Sequence, residues 1–157
     1  MPQATAPHRP RQHGLTLVEL MLVVAMVAIL VSLATSAWSA WRNKVKTQTA
    51  VNDIAAVSLS IDDWYADKGT LPASLADIGR GGMLDPWGNA YVYTNLSTPT
   101  GVGKARKDHS LVPLNSDYDL FSMGPDGKSA SPLTAASSQD DVLRANNGRF
   151  IGPASDY

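Results

Sequence analysis

Residues 14–41 read GLTLVELMLVVAMVAILVSLATSAWSAW, and the rest of the chain is organised around this stretch. From Leu20 to Trp41 no side chain carries a charge. An uncharged run of about 22 residues makes a helix roughly 33 Å long, enough to cross the apolar layer of a bilayer. Inside lipid the backbone has no water to bond with, so a helix is the form such a run adopts. Ahead of it stands MPQATAPHRPRQH, which carries Arg9 and Arg11 and no acid.

Three readings compete for this N-terminus. A secretory signal peptide would be cut near Ser36-Ala37-Trp38-Ser39-Ala40, but its apolar segment is typically about 7–15 residues, shorter than this one. A plain single-pass anchor accounts for the length and leaves Glu19 unexplained. An acid in an apolar helix costs about 2.5–3.5 kcal/mol at the centre of a span and less near its end. The third reading gives Glu19 a partner: cleavage after Gly14 creates a new α-amine on Leu15, and in a stack of helices one subunit's amine meets a neighbour's Glu19. Such a buried pair adds little net stability but penalises a missing partner strongly, so it specifies register.

Gly14-Leu15-Thr16-Leu17-Val18-Glu19-Leu20 resembles the class III leader of type IV prepilins and type II secretion pseudopilins. The resemblance implies that a prepilin peptidase removes residues 1–14 and methylates the amine of Leu15. Residues 15–41 are then the transmembrane and assembly half of a helix. Residues 42–157 are a periplasmic pilin-like domain that includes the second helix half. Two features depart from the family: Leu15 stands where Phe or Met is commoner, and Ser36 stands where a mid-helix proline falls. Arg42, Lys44 and Lys46 after the span outnumber Arg9 and Arg11 before it, so charge alone favours the opposite orientation. The leader motif implies a cytoplasmic N-terminus.

The remainder is polar and rich in Gly, Pro, Asp and Ser. It can bury only a small core of marginal stability and needs a staple. The 157 residues contain no cysteine, which rules out a disulfide, thiol catalysis and iron–sulfur or zinc–thiolate sites. The net charge of -1 argues against nucleic-acid binding through bulk charge.

The helix is expected to continue past Trp41. Ala50, Ile54, Val57, Ile61 and Trp64 recur at spacings of four and three, no proline falls between Leu15 and Lys68, and Gly69 supplies a stop. Trp64 and Tyr65 are expected in the core. Ala90-Tyr91-Val92-Tyr93 and Tyr118-Asp119-Leu120-Phe121-Ser122-Met123 read as strands, and Arg149-Phe150-Ile151 as a last short one after the turn Asn146-Asn147-Gly148. Thr98 to Ser116 reads as a flexible polar excursion, and Lys104-Ala105-Arg106-Lys107 within it as a solvated loop. The fold class is α+β: a long N-terminal helix packed on a small antiparallel sheet, with a loop-rich C-terminal region.

Asp85-Pro86-Trp87-Gly88-Asn89-Ala90-Tyr91 and Ser122-Met123-Gly124-Pro125-Asp126-Gly127 resemble, in order and spacing, two motifs of the major pseudopilin family of type II secretion. The resemblance covers most of the chain except residues 94–116. It implies a calcium ion held by Asp126, Asp140 and Asp141 with backbone carbonyls near Met123 and Ser138. Three carboxylates and two carbonyls are ligands of the kind calcium takes, six to eight oxygens in all, and the ion would be the missing staple. The loop from Asp126 to Asp140 is longer than the family's, and Val142-Leu143-Arg144 replaces its usual tryptophan, so the alternative is a solvated acidic surface loop.

No catalytic constellation is present: His109 stands alone outside the leader, and neither a phosphate-binding glycine loop nor an HExxH motif occurs. The expected function is a structural subunit of a type II secretion pseudopilus, a periplasmic fibre that helps export folded proteins. Its expected partners are further copies, minor pseudopilins, prepilin peptidase, the inner-membrane assembly platform and, before assembly, membrane lipid; nucleic acid is not expected. The alternatives are a type IV pilus subunit for adhesion, motility or DNA uptake, and an anchored periplasmic binding domain that never polymerises.

Overall fold

The computed structural model describes residue 14 and residues 16–157, with only the backbone of 36 and 37. The leader up to residue 13 and Leu15 lie outside the described residues. The chain falls into two units, one ending at Trp41 and the other spanning Arg42–Tyr157.

Helix α1 runs over Leu17–Lys68 and contributes to both units. Thr16 starts it: its hydroxyl accepts the Glu19 N–H at 3.2 Å, which satisfies one of the free donors of the first turn. Gly69 ends it at φ +70°, and its N–H closes on the Tyr65 carbonyl at 2.8 Å. In the first unit the apolar side chains of α1 are exposed, from Leu17 to Leu33. This is the one helix among the described residues long and apolar enough to cross a membrane.

In the second unit the stripe on α1 behaves as its periodicity predicts. Ala50, Ile54, Val57 and Ile61 are fully buried and pack on Leu75, Tyr91, Tyr118, Leu120 and Val142. Trp64 is half-buried and Tyr65 exposed, so the expected aromatic core pair is not formed: Tyr65 lies one position off the stripe.

Four strands form an antiparallel meander in the order β1 (Val92–Asn95), β2 (Tyr118–Ser122), β3 (Val142–Ala145), β4 (Phe150–Pro153). The first starts two residues later than expected, because Ala90 makes an isolated bridge with Leu84 instead. The strand β3 is new relative to the sequence reading. Strands β2 and β3 are buried along their whole length, so the sheet is covered on both faces. One face meets α1. The other carries Phe121, Leu143 and Ala145 and is closed by Leu114, Leu133 and Ala154.

That second layer corrects the flexible excursion. Pro99–Val102 forms a one-turn helix, α2, capped by the Thr98 hydroxyl. Leu96, Ala105, Arg106, Leu114 and Asn115 are buried. The segment folds down because the outer face of the sheet would otherwise expose Phe121 and Leu143 to water.

Candidate functional site

The two motifs near residues 85 and 122 come together as a clasp. The Asp85 carboxylate accepts the N–H groups of Trp87 (3.0 Å) and Asn89 (2.8 Å), closing a tight turn on itself. Its other oxygen accepts the Ser122 hydroxyl at 2.5 Å, and Ser122 in turn accepts the Gly124 N–H. The Asn89 amide donates to the Gly124 carbonyl at 2.9 Å. Tyr91 ties the clasp to α1, donating its hydroxyl to Asp53 at 2.8 Å. Burial and the Asp53 carboxylate raise the Tyr91 phenol above its usual range, so it remains a donor at any physiological pH.

Gly124 sits at φ +64°, and a methyl group there would stand 2.3 Å from the Asp140 carbonyl oxygen. Only glycine lets the 123–127 turn approach so closely. The approach brings two of the expected calcium ligands together: the Asp126 N–H donates to the Asp140 carboxylate at 3.2 Å. The Asp126 carboxylate itself accepts the Lys128 N–H at 2.7 Å. The Ser138 carbonyl lies 3.4 Å from the Asp141 N–H, and its hydroxyl pairs with both backbone groups of Ala130. The Met123 side chain packs against the outer core.

Asp141 has partners of its own. Its carboxylate is fully buried and paired with Arg106 at 2.7 Å and with the Ser129 hydroxyl at 2.6 Å. Burial pushes this carboxyl up to about 6, against the pull of the Ser129 hydroxyl and the Arg106 charge. Arg106 is buried too, a correction to the solvated loop expected for 104–107. Its guanidinium stacks on Phe121 at 4.1 Å, and its N–H donates to Asp119 at 2.7 Å. Among the described residues no three His, Cys, Asp or Glu side chains stand close enough to hold a metal. One oxygen of the Asp141 carboxylate is thus engaged by Arg106 and Ser129, and the other is buried without a hydrogen-bond partner. Arg106 and Ser129 gave no sequence signal: one sits in a basic run, the other in a polar loop, and their partner is far along the chain.

At the other end, Glu19 is exposed in the first turn of α1, five positions after Gly14. Leu15, the expected first mature residue, lies outside the described residues. His109 is exposed. An open cleft of about 430 Å³ beside Val102, Val112 and Leu114 has no ionisable side chain among its lining residues. It offers no acid or base for chemistry.

Residues 9–35 match the prokaryotic N-terminal methylation motif. The chain is similar to the type II secretion system core protein G of Escherichia coli (strain K12), with 30% identity over 139 residues covering 75% of this chain and 85% of that protein. Proteins of the same name from Aeromonas hydrophila and Pseudomonas aeruginosa are 28% and 26% identical, covering 77% and 76% of this chain and 88% of each relative. No solved structure gives a significant match.

Proposed function

The chain belongs to the family of the type II secretion system core protein G, and from that premise we propose that it is a structural subunit of the type II secretion pseudopilus. It assembles through the first half of α1 into a periplasmic fibre that helps export folded proteins. The observation that carries this reading is the exposed apolar helix with one carboxylate, Glu19, placed five residues after Gly14. A free helix of this kind is stable only in lipid or against other copies of itself.

Prepilin peptidase cuts after Gly14 and methylates Leu15. Before assembly the subunit is an inner-membrane protein with its N-terminus in the cytoplasm. Its partners are further copies, minor pseudopilins and the inner-membrane assembly platform. We read its role as structural rather than catalytic, as the name of its relatives, a core protein of the secretion system, supports.

The test is intact mass and N-terminal sequencing of the membrane-extracted protein, together with secretion in a strain lacking the gene. The expected results are a methylated start at Leu15 and exported proteins trapped in the periplasm. A start after Ala40 overturns the processing and assembly reading. Normal secretion with lost surface fibres assigns the chain to a type IV pilus instead.

A further inference from the structure

This chain departs from the family pattern in three places, and the structure connects the first two. The 94–116 segment falls outside the resemblance, the 126–140 loop is long, and the usual tryptophan after the acidic pair is absent. The first supplies Arg106 and the second supplies Ser129, and both converge on the buried Asp141 carboxylate. We propose that the Arg106 guanidinium is the resident cation of this loop, doing in this chain what a calcium ion is expected to do in its relatives.

Several observations hold the guanidinium in place. One arm donates to Asp141 and the other to Ser129, whose hydroxyl also donates to Asp141, so the three side chains form a closed triangle. The flat face of the guanidinium lies on Phe121. The backbone N–H of Arg106 is fixed to Asp119, and the Lys107 N–H and carbonyl pair with the Ser131 carbonyl and Leu133 N–H. The excursion and the 126–140 loop are thereby stitched to each other over the outer face of the sheet. This is the stapling that a small cysteine-free domain needs.

The same geometry disfavours a divalent ion. The one unpartnered carboxylate oxygen of Asp141 belongs to the group that already faces Arg106. A calcium ion there would sit beside a buried positive charge in a poorly screened interior. Of the remaining pair, the Asp140 carboxylate accepts the backbone N–H of Asp126, and Asp126 is exposed.

The experiment uses the full chain in detergent and does not depend on fibre assembly. Thermal unfolding is followed in excess calcium chloride and in EGTA, and calcium chloride is titrated calorimetrically into the chelated protein. The expected result is one melting temperature in both conditions and no stoichiometric binding heat. A melting temperature that falls in EGTA and returns with calcium, or saturable one-to-one binding, overturns the proposal.

Arg106→Gln is expected to lower the melting temperature by roughly 10 °C or more, because it leaves a buried carboxylate without its counter-charge. The double variant Arg106→Gln/Asp141→Asn removes both charges and is expected to recover a large part of that loss. An Arg106→Gln protein as stable as the wild type, or a double variant no better than the single, means that the pair does not hold the loop.

Discussion

Arg144 on β3 grips Asp117 with both arms of its guanidinium, at 2.9 and 2.7 Å, while its flat face lies 3.9 Å from the Tyr118 ring. Burial would raise the Asp117 carboxyl, but the hydrogen bonds and charge of Arg144 and the Tyr118 N–H outweigh it and hold the group below its usual 3.8. A carboxylate depressed in the folded state adds stability that is present above the unfolded value and lost as the pH falls through the folded one. Asp117→Asn is therefore expected to be less stable at neutral pH by on the order of 1–2 kcal/mol, the low range for a charge-assisted bond still partly open to solvent. Denaturant unfolding at a series of pH values checks this. The gap between variant and wild type should close below the ordinary carboxylate range, and a gap that persists unchanged in acid would mean the loss is steric. Arg106 likewise pairs with a carboxylate and stacks on a ring, but at its more deeply buried position burial wins and the Asp141 carboxyl is raised instead. Neither arginine is legible beforehand, because a charged side chain looks solvated until its partner is known.

Of the elements, α1 was the most legible. Its stripe at Ala50, Ile54, Val57 and Ile61 has the period of a helix, no proline interrupts it, and Gly69 marks its end. Strand β2 was legible as a run of β-formers. The strand β3 was not, because Val142-Leu143-Arg144-Ala145 is short and buried on both faces, and a doubly buried strand shows no alternation. The excursion was misread for a related reason. Its buried members, Ala105, Arg106, Leu114 and Asn115, are scattered without a period among polar neighbours. The glycines and aspartates of the two motifs were legible as a pattern, and the structure gives the reason for several of them: Asp85, Asn89, Ser122 and Gly124 build the clasp. The helix stripe supports a paired prediction. Ile54→Ala opens a cavity between α1 and the sheet and should cost about 2–5 kcal/mol in chemical unfolding of the detergent-solubilised chain. Leu59, 66% exposed on the same helix, should give a change within about 0.5 kcal/mol when replaced by alanine. Equal losses at the two positions would mean that the core does not lie where the stripe puts it.

At the scale of the whole molecule the two units ask for different surroundings. Arg42–Tyr157 closes its own apolar cores, whereas the helix before it leaves residues such as Leu22, Val27 and Leu30 half or more exposed. Each such side chain left in water forgoes about 1.5–3 kcal/mol, so this segment belongs in lipid or against other copies. Lipid and copies differ in what they make of Glu19. In lipid the carboxylate is a cost, and Glu19→Ala removes it, so the variant should enter the membrane at least as well as the wild type. In the proposed stack of helices the carboxylate would meet the amine that cleavage after Gly14 would create, and the variant would leave that amine unpaired in an apolar interior. The penalty for a broken buried pair is about 3–5 kcal/mol per contact, enough to cut assembly by more than roughly a hundredfold. The helix start itself is not at stake, because the Thr16 hydroxyl accepts the backbone N–H of residue 19, which alanine keeps. Membrane fractionation should thus find Glu19→Ala in normal amount and normally processed, while sheared or cross-linked fibres are depleted. Glu19→Asp, which keeps the charge but shortens the reach, should fall between the two. Wild-type fibre yield from the alanine variant would show that register is set elsewhere on the helix.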